Sequence, residues 1–256
     1  MIKILANDGI SQAGIDALTE KGFDVVTEKV AQEDLINTIN TKNYEVLLVR
    51  SATTVREDLI DACPQLKVVG RGGVGMDNID VDYAIEKGIN VINTPAASSA
   101  SVAELVFAHL FGMVRFLFDS NRQMPMVGDA DFKSLKKSYA NGRELAGKTL
   151  GIIGFGRIGQ EVAKRAIGLG MKVIAHDKFI DEANITLDFF NGDKKSFTIE
   201  IESLKEVLKN SDFITLHVPK IDNKAVIGAE EIGMMKTGAG IVNAARGGII
   251  DETALM

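Results

Sequence analysis

Short apolar segments alternate with amphipathic ones along the first part of the chain, up to about residue 100. The apolar segments are rich in β-branched residues, so they predict strands: IKILAN, FDVVTE, YEVLLVR, LKVVGR and INVINT. The segments SQAGIDALTE, AQEDLINTIN and VREDLIDAC lie between them and carry apolar residues at helical spacing. Strands that alternate with helices predict a parallel sheet with helices on both of its faces.

A second alternation of the same kind begins at Lys148. Its segments KTLGIIG, MKVIAHD, DFITLHV and AGIVNAA predict strands, and GRIGQEVAKRAIGLG and IESLKEVLKN predict helices. Between Asp181 and Ile201, two further β-rich segments flank Asn191-Gly192, which favours a hairpin insertion. We therefore predict an α/β protein with two parallel-sheet domains of Rossmann-like or flavodoxin-like type, bounded by residues 1–97 and 98–256.

The segment that joins the two alternations, from Ser101 to about Asn121, is apolar on nearly all sides. Ser101 and Glu104 have the spacing of a capping box, which predicts that a long helix starts there. A helix this apolar must be buried between domains or between subunits, so we expect a homodimer that forms through it. The following stretch, QMPMVGDADFKSLKKSYANG, lacks a clear period and predicts an exposed arm.

Composition narrows the class of protein. The chain has 256 residues, of which 46% are hydrophobic and 25% charged, as in ordinary globular proteins. Its net charge of −6 argues against nucleic-acid and anionic-membrane partners. The single cysteine, Cys63, excludes an internal disulfide framework. The sequence shows neither a signal-peptide pattern at its start nor an apolar stretch of bilayer length. We expect a soluble cytoplasmic protein without a metal site.

Three glycines follow the first strand of the second alternation. Gly154, Gly156 and Gly159 have the spacing that permits a tight turn, close approach of the backbone to a pyrophosphate, and close helix-on-strand packing. The start of the helix adds amide donors and a positive dipole. The next strand ends at Asp177, near the ~20-residue spacing expected of a ribose-binding acid. A chance glycine turn with a capping aspartate is the alternative, but the full context favours a dinucleotide site.

Asp177 also bears on the choice of cofactor. A carboxylate at this position accepts hydrogen bonds from the adenosine ribose and repels a 2′-phosphate. Lys178, the next residue, would soften that repulsion. The sequence therefore favours NAD over NADP.

The first domain offers a candidate anion site. Gly73 belongs to a glycine-rich stretch directly after a strand, where backbone amides can converge on an anion. Arg50 and Ser51 end a neighbouring strand, and Arg71 ends the strand before Gly73. Ligands of parallel sheets bind at the carboxyl ends of strands, so these four residues could share one cleft. Taken alone, both arginines are better explained as solvated loop charges, which is the commoner fate of arginine.

His217 ends another strand of the second domain, in TLHVP. A residue at this place should line the cofactor cleft, and it stands open as a catalytic base.

Six motifs occur in a fixed order along the whole chain: VRSATTV, GRGGVGMDNID, NTPAASSASVAEL, GKTLGIIGFGRIG, SDFITLHVP and NAARGGIIDE. Together they resemble the D-isomer-specific 2-hydroxyacid dehydrogenase family. The resemblance implies that backbone at Gly73 and Val74 holds the substrate carboxylate and that Val74 approaches the cofactor. The other cofactor-binding positions that it implies are Arg157 and Ile158 at the pyrophosphate, Asp177 at the ribose, His217, Val218 and Pro219 beside the adenosine and nicotinamide, and Ala244, Ala245 and Arg246 along the nicotinamide.

Arg246 is the catalytic residue that the resemblance implies. Its planar guanidinium would grip the carboxylate and the keto oxygen of the substrate and stabilise the charge that develops on that oxygen. Members of the family also use a histidine as general acid/base, oriented by a glutamate, and both come after this arginine. Neither is present before Met256, so we expect an incomplete copy of a longer enzyme, with little turnover by itself. The first, substrate-binding domain would lack its C-terminal return segment, and the second, NAD-binding domain would lack its last strands.

The resemblance implies NAD-dependent oxidation of a phosphorylated 2-hydroxy acid, 3-phosphoglycerate, at its 2-hydroxyl. Two alternatives stay open. The first is a reductase for glyoxylate, hydroxypyruvate or a similar 2-keto acid. The second is a non-catalytic NAD-binding scaffold.

Overall fold

The chain forms two compact units, Met1–Ser98 and Ser99–Met256. The structure, a computed structural model, describes residues 1–220 and 224–256. Each unit is built around its own parallel sheet.

The first unit is a doubly wound sheet with the strand order β2-β1-β3-β4-β5, all parallel. This is the flavodoxin-like order, which reverses between β1 and β3. A single-turn 3₁₀ helix, Gln32–Asp34, precedes α2. The elements are β1 Lys3–Ala6, α1 Gln12–Glu20, β2 Asp24–Val26, α2 Leu35–Lys42, β3 Val46–Val49, α3 Glu57–Ala62, β4 Val68–Arg71, α4 Val81–Glu86 and β5 Asn90–Asn93.

Apolar side chains of both sheet faces form the core of this unit. Leu5, Leu47 and Val69 on the central strands are completely buried. The helices supply Leu35, Ile39 and Leu59 from the flanking layers. Strands covered on both faces give short continuous apolar runs, which is why these strands are visible in the sequence.

The second unit contains a four-stranded parallel sheet with the order β11-β10-β6-β7 and a separate antiparallel hairpin, β8-β9. Ile201 forms an isolated parallel bridge with Ala175 of β7, in the position of a further strand beside it. The sheet thereby follows the Rossmann order. The elements are α5 Ser99–Arg115, α6 Leu117–Tyr139, β6 Thr149–Ile153, α7 Arg157–Gly168, β7 Lys172–His176, β8 Glu182–Asp188, β9 Lys194–Glu200, α8 Leu204–Asn210, β10 Phe213–Leu216, α9 Ala229–Met234, β11 Gly240–Asn243 and α10 Glu252–Leu255.

The predicted α/β class with parallel sheets is confirmed, as are the strands of both alternations. The hairpin predicted around Asn191-Gly192 is also present, with Gly192 in the left-handed region at φ 88°.

The long helix differs from its prediction at both ends. It begins at Ser99, so Ser101 lies inside the helix and does not cap it. Glu104 pairs instead with Arg165, at 2.9 Å between Oε1 and Nη2. The helix stops at Arg115 because Phe116 takes a left-handed conformation, φ 54°.

The segment predicted as an exposed arm is exposed but helical, as α6. None of its residues, all of which the structure describes, is buried. Pro125 lies within it, and Asp131 leaves the helical region at φ −124°. A helix without a core-facing side has no apolar period, and for that reason the sequence gives no helical signal here.

Among the described residues, no single helix has both the length and the hydropathy of a membrane span. The bent pair α5 and α6, at 57° to each other, meets both criteria only when the two are joined. No group of three or more metal-ligating side chains occurs within residues 1–220 and 224–256.

Candidate functional site

The glycine loop follows β6 and is shaped by two steric demands of the chain itself. Gly154 has φ +92°, a conformation that L side chains rarely adopt. A Cβ at Gly154 would lie 2.6 Å from the carbonyl oxygen of His217, and one at Gly159 would lie 2.2 Å from that of Gly154. The first glycine therefore permits the turn against β10, and the third permits α7 to pack on β6.

At position 156, by contrast, no contact within the described chain requires a glycine. Gly156 is the N-cap residue of α7, its backbone is extended, and a Cβ there would meet no described atom within 4 Å. No side chain of the described residues caps the helix at this end. This open position is at the start of a 12-residue helix, the end that carries unpaired amide groups and the positive end of the dipole. This geometry fits the backbone approach of a pyrophosphate, with Arg157 and Ile158 in the first turn.

Asp177 follows β7 and contacts the glycine loop directly. Its Oδ2 accepts a hydrogen bond from the backbone N–H of Phe155 at 2.7 Å, and its Oδ1 accepts one from Phe179 at 2.9 Å. A carboxylate oxygen has two lone pairs, so both oxygens keep capacity for another donor. The contact brings Asp177 to the loop that the spacing pairs it with, and its ribose-binding role stays a prediction.

His217, Val218 and Pro219 follow β10 on the other side of the glycine loop. The N–H of His217 donates to the carbonyl of Ile153 at 2.7 Å. The imidazole Nε2 lies 3.0 Å from Oγ1 of Thr215, whereas Nδ1 is buried without a partner among the described residues. Burial lowers the pKa of His217 to about 4. The imidazole is therefore neutral at physiological pH and a weak base for an alcohol proton, which disfavours the role left open for it.

The end of β11 carries Ala244, Ala245 and Arg246, whose turn is braced by Asn243. The Asn243 side chain accepts from the N–H of Ala245 at 3.1 Å and donates to the carbonyl of Arg246 at 2.8 Å. Arg246 is exposed, and its Nη1 donates to the carbonyl of Ala245 at 2.9 Å. Parallel strands end at one edge of their sheet, so the four segments after β6, β7, β10 and β11 share the carboxyl edge of the second unit.

The first unit holds a cleft of about 730 Å³ at the carboxyl ends of its strands. Arg50 and Arg71 both line it, as predicted from their positions at adjacent strand ends. Ser51 lines a neighbouring cleft of about 530 Å³, which shares Arg50 with the first. Gly73 and Val74 lie in the loop after β4 and line neither of these two clefts of the fully described first unit.

Arg71 braces the glycine-rich loop that follows it. Its Nη1 donates to the carbonyl of Gly75, and its Nε donates to that of Arg50 at 3.3 Å. A Cβ at Gly73 would lie 2.7 Å from Arg71 Nη1, so this glycine lets the guanidinium pass. Val74 is 37% exposed, and its carbonyl accepts from the Asn93 side chain at 2.8 Å. The assignments of Gly73, Val74 and Arg71 to a substrate stay predictions.

Asp8 is a residue of the same clefts that the sequence analysis missed. Its side chain is 4% exposed, and its oxygens accept from the N–H groups of Arg50 and Thr53 at 2.7 and 3.1 Å. The Thr53 hydroxyl and Lys29 Nζ donate to it at 2.8 and 3.3 Å. Burial raises the pKa of Asp8, but these hydrogen bonds outweigh it and hold the pKa below the ordinary value.

Comparisons with known proteins show what the chain is similar to. The family described as "D-isomer specific 2-hydroxyacid dehydrogenase, NAD binding domain" matches residues 107–256. The chain is 44% identical over 257 residues to D-3-phosphoglycerate dehydrogenase of Methanocaldococcus jannaschii, covering 100% of the chain and 46% of that protein. It is 42% identical over 254 residues to hydroxypyruvate reductase of Thermotoga maritima, covering 99% of the chain and 77% of that protein.

Solved structures show the same likeness. The TT0316 protein from Thermus thermophilus has a TM-score of 0.80 at 28% identity, covering 99% of this chain and 77% of that one. The NAD⁺-bound 3-phosphoglycerate dehydrogenase of Entamoeba histolytica has a TM-score of 0.75 at 30% identity, covering 99% and 75%. The chain spans about half the length of the curated D-3-phosphoglycerate dehydrogenases that it matches.

Proposed function

Because the chain belongs to the D-isomer specific 2-hydroxyacid dehydrogenase family, we propose that it serves the NAD-dependent oxidation of D-3-phosphoglycerate to 3-phosphohydroxypyruvate, a step of serine biosynthesis. The observation that carries the proposal is the glycine at position 156. Packing within the described chain does not require a glycine there, and the residue is the N-cap of a helix that no side chain caps. The relatives named D-3-phosphoglycerate dehydrogenase support this choice of substrate.

The carboxyl edge of the second unit would hold the cofactor. Gly154, Gly156 and Gly159 with Arg157 and Ile158 would receive the pyrophosphate, and Asp177 the ribose. Bound NAD would supply the hydride acceptor. The carboxylate of Asp177 would favour NAD over NADP by repelling a 2′-phosphate, with the exposed Lys178 reducing that preference. The turns formed by His217, Val218 and Pro219 and by Ala244 and Ala245 would border the nicotinamide.

Arg246 would act on the substrate. A guanidinium presents parallel N–H donors that match a carboxylate, and it stabilises negative charge on a carbonyl oxygen as a hydride moves. Asn243 orients this residue through the carbonyl of Arg246. Arg50 and Arg71 would offset the phosphate charge locally, in a chain whose net charge is −6.

The second candidate is the reduction of a small 2-keto acid such as glyoxylate or hydroxypyruvate. It is favoured by the hydroxypyruvate reductase of Thermotoga maritima, of which the chain covers 77% at 42% identity. The two candidates share the cofactor and Arg246. They differ in whether the first unit must recognise a phosphate.

We expect Gly156→Ala to weaken NADH binding about tenfold or more while leaving the melting temperature nearly unchanged. The added methyl group meets no described atom of the protein but would occupy the space where a pyrophosphate approaches. Gly168→Ala is the matched control, because it adds the same group to open space at the other end of α7. NADH fluorescence titration measures both variants. Equal dissociation constants for Gly156→Ala and Gly168→Ala would contradict the cofactor site.

We also propose a homodimer that forms through α5. Leu105, Phe111 and Met113 of this helix are 49%, 39% and 40% exposed within the described chain, an apolar surface that association would bury. Light scattering at micromolar concentration is expected to give the dimer mass for the native chain and the monomer mass for Leu105→Glu. The control is Phe190→Glu on the β8–β9 hairpin, where an equally apolar side chain is fully exposed. A native monomer, or a dimer that survives Leu105→Glu, would argue against this interface.

A further inference from the structure

A polar network beside the first-unit cleft joins the segments that follow β1, β2 and β3. Asn7, directly after β1, donates to the carbonyl of Val30 at 3.1 Å and accepts from its N–H at 2.8 Å. The same amide donates to Oγ1 of Thr53 at 2.9 Å, and that hydroxyl donates to Asp8. Asn7 and Thr53 are each only 2% exposed. A buried network with its partners in place fixes one arrangement of the backbone.

Arg50 is held by this network through its main chain. Its N–H donates to Asp8 Oδ2 at 2.7 Å. Its carbonyl accepts from Asn78 Nδ2 at 2.9 Å and from Arg71 Nε at 3.3 Å. Side chains from three other segments therefore satisfy both backbone groups of Arg50.

The guanidinium of Arg50 is in the opposite situation. It makes no hydrogen bond or ion pair to the described residues, and the residue is exposed at the junction of the two clefts. Arg56, by comparison, pairs with Asp80 at 2.6 Å. This arrangement suits anion recognition. The backbone of Arg50 is already fixed, so little loop entropy is lost on binding, and its guanidinium is available to pair with an anion.

Position 8 requires a carboxylate because its two oxygens accept all of the hydrogen bonds that the neighbouring donors make there. Asp8 receives four donors, two of them the backbone amides of Arg50 and Thr53. Ionised carboxylates are acceptor-only groups with about four lone-pair sites. Asparagine has the same shape but offers a single acceptor oxygen, and its NH₂ group would face a donor. Electrostatically the aspartate opposes an anion in the cleft, so attraction of the ligand does not explain its presence.

We propose that Asp8 is a positioning residue for phosphate recognition: it fixes the backbone from Arg50 to Thr53 and so aims Arg50 at the phosphate of the substrate. The inference rests on the proposed function, since it concerns how that same substrate is recognised. Asp8 itself does not touch the ligand. Its effect must therefore pass through the Arg50 side chain.

The test is a double-mutant cycle read by isothermal titration calorimetry with 3-phosphoglycerate. Arg50→Ala and Asp8→Asn are each expected to weaken binding about tenfold or more, the size of a charge-assisted hydrogen bond. The double variant is expected to bind no more weakly than Arg50→Ala alone. D-Glycerate, which lacks the phosphate, should lose little affinity in any of them. NADH titration, a readout of the second unit, should be the same throughout.

Asp16→Asn is the matched control, because it removes the same charge from an exposed position on α1 and should bind 3-phosphoglycerate like the native chain. Thr53→Val replaces Asp8→Asn in the cycle if the latter does not fold, since it keeps the shape of the side chain and deletes the hydroxyl that donates to Asp8 and accepts from Asn7. Two outcomes would overturn the role of Asp8 but leave that of Arg50 intact. In the first, the losses of affinity caused by the two substitutions add up in the double variant. In the second, Asp8→Asn binds 3-phosphoglycerate with native affinity while Arg50→Ala binds it more weakly. No binding by the native chain, or no effect of Arg50→Ala, would reject phosphate recognition and Asp8 with it.

Discussion

Gly159→Ala is expected to destabilise the second unit by about 3 kcal/mol, the upper range for an overpacked core site. The new Cβ would lie 2.2 Å from the carbonyl oxygen of Gly154 and 3.2 Å from Cγ2 of Ile152, so α7 must move away from β6. The obstacle is backbone, which has no alternative rotamer. Urea unfolding followed by circular dichroism measures the loss as a lower transition midpoint.

The control is again Gly168→Ala in the same helix, where the added methyl group meets no described atom within 4 Å. Alanine is a better helix former than glycine by roughly 0.5–1 kcal/mol, so this variant should be at least as stable as the native chain. If both variants unfold at the native midpoint, the close approach of α7 to the glycine loop is wrong.

The stability of the second unit is expected to fall by roughly 3 kcal/mol as the pH drops from about 6.5 to about 4, on account of His217. Burial lowers the folded pKa of this histidine from 6.5 to about 4. Between these values the unfolded chain binds a proton that the folded chain does not, so lower pH favours unfolding. The contribution is fully present above 6.5 and is lost before pH 4, below which it no longer changes.

Chemical unfolding of native and His217→Gln chains over this pH range isolates the effect, since carboxylates such as Asp212 contribute equally to both and cancel. The free energy of unfolding of the native chain should fall toward pH 4 relative to that of the His217→Gln chain. Parallel curves for native and His217→Gln chains would show that His217 is not buried as a neutral group.

What the sequence predicts well has a local cause. The strands stand out because central strands of a parallel sheet are covered on both faces, which gives short β-branched runs such as VLLV and TLGII. The glycine loop stands out because its three glycines follow a strand at a fixed spacing, and two of them, Gly154 and Gly159, are required by close backbone contacts. The alternation of strands and helices is sufficient for the fold class of both units.

What the sequence does not reveal depends on distant partners. Asp8 bonds to Arg50 and Thr53, 42 and 45 residues further along, and no local pattern marks a carboxylate with such partners. His217 lies where its position after a strand predicts, but its weak basicity comes from burial by surrounding elements. The sequence does not predict the helix α6, because a helical period of apolar residues comes from a buried face and α6 has no buried residue.

The helix that follows the glycine loop has one face buried in the core of the second unit. Val162, Ala163 and Ala166 of α7 are fully buried in one cluster with Val106 and Leu110 of α5, and Ile185 of the β8–β9 hairpin belongs to the same cluster. The hairpin thus contributes to the core around α7, together with the sheet and α5. A helix confined in this way has little freedom to lose, so its amide groups are already ordered when a dinucleotide arrives. The insertion, remote from the chemistry, would then raise affinity by preorganisation, slowing the escape of the cofactor more than speeding its capture.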